Sequence, residues 1–591
     1  MANELSALPL LRRLWPHIGP RRRGQFLVLL ILMVAASLAE IASLGAVLPF
    51  LGVLTAPEKL FAQPLTQPFF HFLGVSAPGD LLLPLTVAFC GAALVAGGLR
   101  LALLWANTRL SFGLGADLSI SIYRRTLYQS YDVHVARNSS EVISGIGTKT
   151  NVVINNVLDP VLTLISSSIM LVAILGALFW INPLIALIAI AGFGAIYMLI
   201  ILLTRERLLA NSKKIADESD GVIRTLQEGL GSIRDVLLDG TQEIYCDTYR
   251  KADLLLRRAQ GDNQFISQSP RYAMEALGML FIAVLAYGMV HSSSEAMLAI
   301  PVLGALALGA QRMLPLLQHA YWSWACIRGG LVSLSDTLSL LEQSLPDSAD
   351  FEEQESLPFV RQIELKNLGY RYSADSSWVI NNVSLCVQRG YRIGFIGKTG
   401  SGKSTLLDLV MSLLEPEHGV IKVDGQTIHA GNRRAWQAHI AHVPQSIFLV
   451  DGTIEENIAL GVPRNEIDQG RVIRAAALAQ LTELIEGWPQ HYQTIVGERG
   501  ARLSGGQRQR IGIARALYKR ADVLVFDEAT SALDDETERS VMEAINGLSE
   551  ELTVLIIAHR VTTLQKCTQV VELCDGVVSR IGSYQDVVEN G

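Results

Sequence analysis

The fold of the second half of the chain is decided by one glycine-rich stretch, Gly397-Lys398-Thr399-Gly400-Ser401-Gly402-Lys403-Ser404-Thr405. It follows a short apolar run and opens a segment with a helical pattern. A glycine-rich turn between a strand and a helix can direct several backbone N–H groups at one anion, with the positive end of the helix behind them. This context favours a phosphate-binding loop over the alternative, a glycine-rich structural turn. We expect Lys403 to reach the terminal phosphates of a nucleoside triphosphate and the Ser404 hydroxyl to bind Mg²⁺.

The composition indicates that much of the remaining chain lies in a membrane. The chain has 591 residues, which is long for one domain. Half of them are hydrophobic and only 18% are charged, which is more apolar than an ordinary soluble protein. The six cysteines are scattered and predict neither a disulfide framework nor a metal site. The N-terminal residues lack the pattern of a cleaved signal peptide, so we expect them to be retained.

Long apolar stretches with few charges predict six membrane-spanning helices in the first half of the chain. The predicted spans lie near residues 24–56, 81–108, 158–181, 183–205, 272–291 and 296–328. Lysine and arginine are frequent in the N-terminal segment and in the second-to-third and fourth-to-fifth connections, whereas the other three connections contain only Lys59. Because positive charge favours the cytoplasmic side, this distribution predicts that both termini are cytoplasmic.

The chain divides into a membrane domain at residues 1–342, an acidic linker at residues 343–358 and a nucleotide-binding domain at residues 359–591. The two long cytoplasmic connections have a helical pattern, so they are predicted to be helical extensions, with Gly229, Gly231 and Gly240 at the bend of the longer one. The outer stretch at residues 57–79 is either a short amphipathic helix on the membrane surface or an ordinary apolar loop.

Two further stretches of the second half carry chemistry. The run Val523-Leu524-Val525-Phe526-Asp527-Glu528 predicts a buried strand that ends in two carboxylates. Next to a phosphate loop, Asp527 suits Mg²⁺ binding and Glu528 suits polarisation of the attacking water, although a charged strand cap is the alternative. Leu503-Ser504-Gly505-Gly506-Gln507 is a second glycine turn that opens a helix, and it predicts a second anion site.

The order of the phosphate loop, Gln445, LSGGQ at 503–507, FDEATSALD at 526–534 and His559 resembles the nucleotide-binding domain of ABC transporters. The resemblance covers about residues 359 to 591 and implies an α/β ATPase domain fused to an α-helical membrane domain, with ATP and Mg²⁺ as cofactors. It assigns ATP binding to Tyr372, Gly397, Lys398, Thr399, Gly400, Ser401, Gly402, Lys403, Ser404, Thr405, Gln445, Ser504, Gly505, Gly506, Gln507 and Asp534. It assigns metal binding to Ser404, Gln445 and Asp527, and catalysis to Glu528 and His559.

The resemblance also implies particular roles for four of these residues. Tyr372 would stack on adenine, and Gln445 would contact Mg²⁺ and report the nucleotide state to the membrane helices. Asp534 would lie at the interface between the two copies of a dimer, and His559 would hydrogen-bond the γ-phosphate. Judged from its sequence position alone, His559 after an apolar strand is more typical of a structural histidine.

One phosphate loop and one LSGGQ turn in each chain imply a homodimer, because the family pairs these motifs across two nucleotide-binding domains. Membrane and ATPase halves fused in one chain resemble exporters, so neither a separate substrate-binding protein nor a nucleic acid is expected as a partner. A multi-pass protein of a bacterial inner membrane follows from the resemblance. The alternatives are a non-transport ATPase of DNA repair or translation, which six spans disfavour, and an ATP-gated channel or regulator.

The substrate is predicted from weaker signals. Two stretches, at 37–50 and at 311–315, resemble bacterial flippases of lipid-linked oligosaccharides and exporters of glycolipids. Arg100, Arg271 and Arg312 fall at similar depth in the inner half of their spans, where they would suit a pyrophosphate or another anionic headgroup. Their side chains could instead extend to the inner interface. A lipid-linked saccharide is the first candidate, and a hydrophobic drug, a lipid A-like molecule and a peptide are the alternatives.

Overall fold

The computed structural model describes residues 6–55, 58, 78–181, 183–292, 296–345, 357–373, 375–528, 534–547, 551–558 and 564–589. These residues form two compact units, one from residues 1–127 with 137–344 and the other from residues 128–136 with 345–591. The predictions for the outer stretch at 57–79, for most of the linker and for His559 therefore fall outside the described residues.

The first unit is built from helices, which confirms the predicted helical membrane domain. In chain order the helices of the first half are α1 (Ala7–Leu14), α2 (Pro20–Thr55), α3 (Leu82–Leu127), α4 (Tyr131–Ala136), α5 (Ser139–Ser144), α6 (Thr150–Val153), α7 (Asp159–Ile181), α8 (Pro183–Gly231), α9 (Ile233–Leu238), α10 (Gln242–Ser292) and α11 (Ala296–Leu341). Of these, α4 belongs to the second unit. Two π-helical turns, Gly145–Lys149 and Ile154–Leu158, separate α5, α6 and α7.

Several of these helices are much longer than a membrane requires. A bilayer needs about 20 residues of helix, whereas α3, α8, α10 and α11 have 46, 49, 51 and 46 residues. The excess agrees with the predicted helical extensions, and the chain breaks its helices next to Gly231 and Gly240, as expected. By length and composition, three stretches among the described residues qualify as spans, at Pro20–Val47, Leu82–Leu127 and Ser139–Gly176. The count of six spans stays a prediction.

A buried ion cluster joins three helices of this unit. The Lys149 ammonium lies 2.8 Å from a carboxylate oxygen of Asp220 on α8 and 2.6 Å from one of Asp336 on α11. The Lys149 side chain is only 8% exposed, so the two carboxylates replace the water that it would otherwise bind. On α3, a Cβ on Gly115 would lie 2.1 Å from Ile154 Cδ1, so a larger residue there would require the Ile154 side chain to move.

The second unit contains two sheets with helices between and around them. Its strands are β1 (Gln362–Tyr370), β2 (Ile380–Gln388), β3 (Arg392–Ile396), β4 (His418–Val423), β5 (Gln426–Thr427), β6 (Ile440–Val443), β7 (Val523–Asp527), β8 (Thr553–Ile557), β9 (Gln569–Cys574) and β10 (Val577–Gly582). Its helices after α4 are α12 (Lys403–Val410), α13 (Arg433–Ala438), α14 (Ile454–Ile458), α15 (Gln469–Leu478), α16 (Thr482–Glu486), α17 (Gly505–Lys519) and α18 (Asp535–Asn546).

The strand order of the larger sheet explains where its functional residues meet. The order is β10-β9-β3-β8-β7-β6, and β9, β3, β8, β7 and β6 run parallel. Carboxyl ends of parallel strands share one edge of a sheet, and ligands bind there. The phosphate loop follows β3, Asp527 ends β7 and Gln445 follows β6, so all three stand at this edge.

The smaller sheet is antiparallel, with the order β2-β1-β4-β5. The β4–β5 and β9–β10 hairpins each turn through an Asp-Gly pair with positive φ, which is the backbone that two-residue hairpins require. In the first hairpin the Asp424 carboxylate also accepts backbone N–H bonds from residues 360–362, at 2.5 to 2.8 Å. Burial raises the pKa of the Asp424 carboxyl, but the three backbone hydrogen bonds together lower it by more. The net pKa therefore lies below its usual value.

Candidate active site

The phosphate loop has the curled backbone that anion binding requires. Gly397, Gly400 and Gly402 have φ values of 143°, 84° and 96°, which side chains other than hydrogen rarely allow. A Cβ on Gly397 would lie 2.2 Å from the carbonyl oxygen of Leu573, and one on Gly402 would lie 2.7 Å from that of Val379. The loop therefore needs these glycines both for its conformation and for its close packing on neighbouring backbone.

Lys403 and Ser404 begin α12 directly behind this loop. The Lys403 ammonium donates to the carbonyl oxygens of Gly397 and Lys398, each at 2.9 Å, so it lies across the mouth of the loop. The Ser404 hydroxyl donates to a carboxylate oxygen of Asp527 at 3.2 Å. A cation, a hydroxyl and a carboxylate thus converge beside the curled backbone, as the sequence predicts.

Glu528 follows Asp527 and faces Gln445. The Gln445 amide donates to the Glu528 carboxylate at 2.7 Å, and this bond links the carboxyl ends of β6 and β7. Glu528 has a φ of 51°, and its N–H bonds the carbonyl of Ile557 at 3.1 Å, so the backbone turns the side chain away from the strand. A carboxylate held in this way can accept a proton from a water molecule placed next to the phosphate loop.

Burial affects the two acids next to Ser404. Burial raises the pKa of Asp527, and Glu528 raises it further, while the Ser404 hydrogen bond and Lys403 lower it. Burial and the neighbouring Asp527 raise the pKa of Asp408 to about 6. Burial thus disfavours the ionised form of both carboxyls, and a cation bound beside Asp527 would favour it.

The residues available for a metal fit Mg²⁺. This ion prefers hard oxygen ligands and keeps several of its own waters. The Ser404 hydroxyl and the Asp527 carboxylate lie within hydrogen-bond distance of each other, and the Gln445 side chain bonds the residue after Asp527. The three predicted ligands thus supply oxygen atoms at one edge of the sheet.

Tyr372 lies beside the end of the loop. Its hydroxyl and that of Thr405 share a hydrogen bond at 3.2 Å, and its ring packs edge-on against Tyr370 with 5.2 Å between the ring centroids. The side chain remains about half exposed, at 52%. An aromatic face fixed at one end and open to solvent can stack on a planar base.

The LSGGQ turn caps a 15-residue helix, α17. The Ser504 hydroxyl accepts the N–H of Gln507 at 3.3 Å, and the Gln507 side chain accepts the N–H of Ser504 at 2.9 Å. This reciprocal pair forms a capping box and begins the helix at Gly505. The glycines that follow carry no side chain, so the helix N-terminus is open to an anion from solvent.

Asp534 is held in place by a similar helix-capping hydrogen bond. It caps α18, and its carboxylate accepts the N–H and the hydroxyl of Thr537, both at 2.9 Å. The backbone bond from Thr537, followed by the hydroxyl bond, lowers the pKa of Asp534. The carboxylate is therefore ionised at neutral pH. Its predicted place at a dimer seam, and the catalytic role predicted for His559, stay predictions.

The three arginines predicted to bind substrate are not equivalent. Arg100 on α3 forms an ion pair with Glu40 of α2, whose side chain is fully buried. Arg271 on α10 pairs with Glu275 one turn later, at 2.8 Å. The side chain of Arg312 lies outside the described residues. Two of the three cations thus have an acidic neighbour that offsets their charge.

One positioning residue escaped the sequence analysis. The guanidinium of Arg515 on α17 donates to the carbonyl oxygens of Asn457 at 2.9 Å and Phe448 at 3.1 Å. It thereby ties the chain that follows Gln445 to the helix that LSGGQ begins. Burial lowers the pKa of Arg515. Its signal in the sequence is a lone arginine in the otherwise apolar run at 511–517.

The loop, the strand-end carboxylates and the sheet order define a phosphate-loop ATPase domain, joined in one chain to a helical membrane domain. Two family descriptions match the same two parts: "ABC transporter" matches residues 380–531 and "ABC transporter transmembrane region" matches residues 26–308. The chain belongs to the ABC transporter family and has the architecture of its exporters. It is a membrane-spanning ATPase that couples ATP hydrolysis to translocation.

Individual proteins resemble the chain along almost its full length. An ATP-dependent lipid A-core flippase of Cupriavidus metallidurans is 28% identical and covers 98% of this chain and 94% of its own. The protein of the same description from Pseudomonas aeruginosa is 28% identical, with coverages of 99% and 95%. A solved structure, described as a bacterial Atm1-family ABC exporter with ATP bound, has a TM-score of 0.77 at 24% identity and covers 96% of each chain. The last match shows the fold.

Proposed function

We propose that two copies of this chain form an exporter that hydrolyses ATP to move an amphipathic lipid with a saccharide or anionic headgroup across a bacterial inner membrane. The observation that carries this proposal is the full-length similarity to lipid A-core flippases, which extends through the membrane domain and not only through the ATPase domain. Both termini would be cytoplasmic, as the distribution of positive charge predicts, and transport would run outward.

ATP hydrolysis would depend on the residues at the carboxyl edge of the larger sheet. The curled loop at 397–402 and Lys403 would hold the phosphates, and Ser404, Asp527 and Gln445 would hold Mg²⁺. When bound, Mg²⁺ supplies positive charge that offsets the charge on the phosphate oxygens. Glu528 would orient the attacking water and accept its proton, because its carboxylate is fixed by the 2.7 Å bond from Gln445.

A homodimer would complete each ATP site. The LSGGQ turn of one copy would cover the phosphate loop of the other, so that a helix N-terminus meets the phosphates from each side. The capping box at Ser504 supports this arrangement because its two bonds fix the turn through the N–H groups of Ser504 and Gln507 and do not use those of Gly505 and Gly506. Asp534, already ionised and fixed by Thr537, would lie at the seam between the two copies.

For the substrate, a lipid-linked oligosaccharide is the first candidate, and a lipid A-like molecule is the second. The resemblance of the stretches at 37–50 and 311–315 favours the first. The names of the full-length relatives favour the second. Both are amphipathic lipids with anionic, sugar-containing headgroups, so both suit arginine side chains in the membrane domain.

A substrate screen tests the proposal. The native protein in lipid nanodiscs is assayed for ATPase stimulation by a polyprenyl pyrophosphate oligosaccharide, by lipid A, by a neutral hydrophobic drug and by a peptide. Arg271→Ala and Arg312→Ala are assayed in parallel. We expect one of the two anionic lipids to stimulate the native protein, and the arginine variants to lose this stimulation and keep basal hydrolysis. Equal stimulation by the neutral drug in all three proteins would contradict the proposal.

A further inference from the structure

A cavity of about 630 Å³ lies between α10 and α11 in the membrane domain. This volume falls in the range of about 300–1,000 Å³ that is usual for small-molecule sites. Each of the two helices has a proline beside the cavity, Pro270 on α10 and Pro315 on α11. Proline inside a helix removes one backbone bond and frees the carbonyl of the residue four positions earlier.

The structure shows how one of these freed carbonyls is satisfied. The residue four positions before Pro270 is Ile266, and its carbonyl oxygen accepts a hydrogen bond from the Tyr321 hydroxyl of α11 at 3.1 Å. About two turns after Pro270 on α10, a Cβ on Gly278 would lie 2.8 Å from Leu314 Cδ1, so the two helices are in close contact there. The cavity is therefore bounded by fixed contacts between the helices.

The charged groups of the cavity offset one another. The Arg271 guanidinium donates to the Glu275 carboxylate at 2.8 Å, and Gln318 of α11 lines the same cavity. The Arg271 side chain lines the cavity and is 62% exposed, so a ligand there can reach it. A ligand in the cavity thus meets hydrogen-bond donors and acceptors side by side, and the Arg271–Glu275 pair has little net charge.

The remaining lining combines amides, an imidazole and aromatic rings. Gln268 and His319 add groups that can both donate and accept hydrogen bonds, and Tyr272 and Trp322 add broad aromatic faces. A bare anion would find its favourable charge already offset by Glu275. A wholly apolar molecule would leave the amides and the ion pair without partners. A sugar ring fits both features, because its hydroxyls donate and accept and its C–H faces pack on aromatic rings.

We propose that this cavity is a saccharide subsite, which binds sugar rings of the transported headgroup through Gln268, Trp322 and the Arg271–Glu275 pair. The inference rests on the proposed lipid substrate and deepens it, since it assigns recognition to the sugar as well as to the phosphate. The C–H face of a sugar ring packs on the indole of Trp322. Gln268 and the Arg271–Glu275 pair form hydrogen bonds with the hydroxyls of the sugar.

ATPase stimulation in nanodiscs tests the subsite with a matched pair of lipids: a polyprenyl pyrophosphate oligosaccharide, and the same polyprenyl pyrophosphate without sugar. We expect the native protein to reach half-maximal stimulation at a concentration at least about tenfold lower with the sugar than without it. Gln268→Ala and Trp322→Leu are expected to remove this difference. Gln264→Ala changes an exposed amide one turn earlier on α10, outside the cavity lining, and is expected to keep it.

A binding measurement separates failure of the subsite from failure of the lipid substrate. The free oligosaccharide is titrated by isothermal calorimetry, and binding heat is expected in the native protein and in Gln264→Ala but not in Gln268→Ala or Trp322→Leu. Stimulation by the free oligosaccharide alone would support the subsite but point to a soluble substrate. Equal response to the two lipids in the native protein, or a sugar-dependent difference that survives both cavity variants, would overturn the inference.

Discussion

Replacing Glu528 by glutamine isolates the charge of the proposed catalytic carboxylate. Glutamine has the same length and can still bond the Gln445 side chain, which lies 2.7 Å from the carboxylate in the native protein. It also suits the φ of 51° at this position no worse than glutamate does, so the backbone of the strand end should not change. The variant loses the ability to accept a proton from water.

The expected loss follows from the size of general base catalysis. Such a group contributes about 10²–10⁴-fold to the rate, which corresponds to about 3–5 kcal/mol of activation free energy. Phosphate release by the reconstituted protein at saturating ATP should fall by about this factor, while the ATP concentration for half-maximal binding stays within about threefold. The phosphates are held by Lys403 and the loop, and these are unchanged.

A surface carboxylate on α18 provides the control for this experiment. Glu543→Gln removes a half-exposed carboxylate on α18 that lies 3.7 Å from the Lys566 ammonium, and it should leave hydrolysis unchanged. If Glu528→Gln hydrolyses ATP within about threefold of the native rate, proton transfer in the transition state does not depend on this carboxylate. The assignment of the base to the end of β7 would then be wrong.

Three further predictions concern binding and stability. Lys403→Ala should abolish measurable binding of a fluorescent ATP analogue, because the cation that faces the phosphates is lost. Lys149→Met should destabilise the membrane domain by about 3 kcal/mol, seen as a lower unfolding temperature in detergent, because the carboxylates of Asp220 and Asp336 lose their shared cation; Lys149→Arg should recover part of this loss. Asp424→Asn should lower the unfolding temperature of the full chain at pH 7. Because the pKa of Asp424 is lowered in the folded state, its charge stabilises the protein above the unfolded pKa. The difference from Asn should therefore begin to shrink as the pH falls below about 4 and disappear only below the lower folded-state pKa.

The sequence indicates the local geometry around the phosphate loop because the parts of this region are local in the chain. The glycines of the loop, the carboxylates after β7 and the glycines at the hairpin turns each owe their conformation to their nearest neighbours. Their meeting at one sheet edge then follows from parallel strand order. The capping box at Ser504 was also implicit in the spacing of LSGGQ, since serine and glutamine stand three residues apart.

The partners of the membrane arginines could not be predicted in the same way. Glu40 was visible as the only charge in its span, but its pairing with Arg100 depends on the rotation of α2 against α3. Glu275 stands one turn from Arg271, yet the cavity that both of them line with Gln318 depends on the packing of α10 on α11. Hence two of the three arginines predicted to suit an anionic headgroup have a carboxylate neighbour that offsets their charge. The cavity next to Pro270 and Pro315 likewise arises only between helices.

The central claim is that ATP hydrolysis by this chain moves an amphipathic lipid across the membrane. The most direct test reconstitutes the purified protein in vesicles that contain a fluorescent polyprenyl pyrophosphate oligosaccharide or fluorescent lipid A, and follows the amount of labelled lipid in each leaflet. We predict that ATP moves one of these lipids in vesicles with the native protein and does not in vesicles with Glu528→Gln. Full ATPase activity without ATP-dependent movement of either lipid would contradict the account.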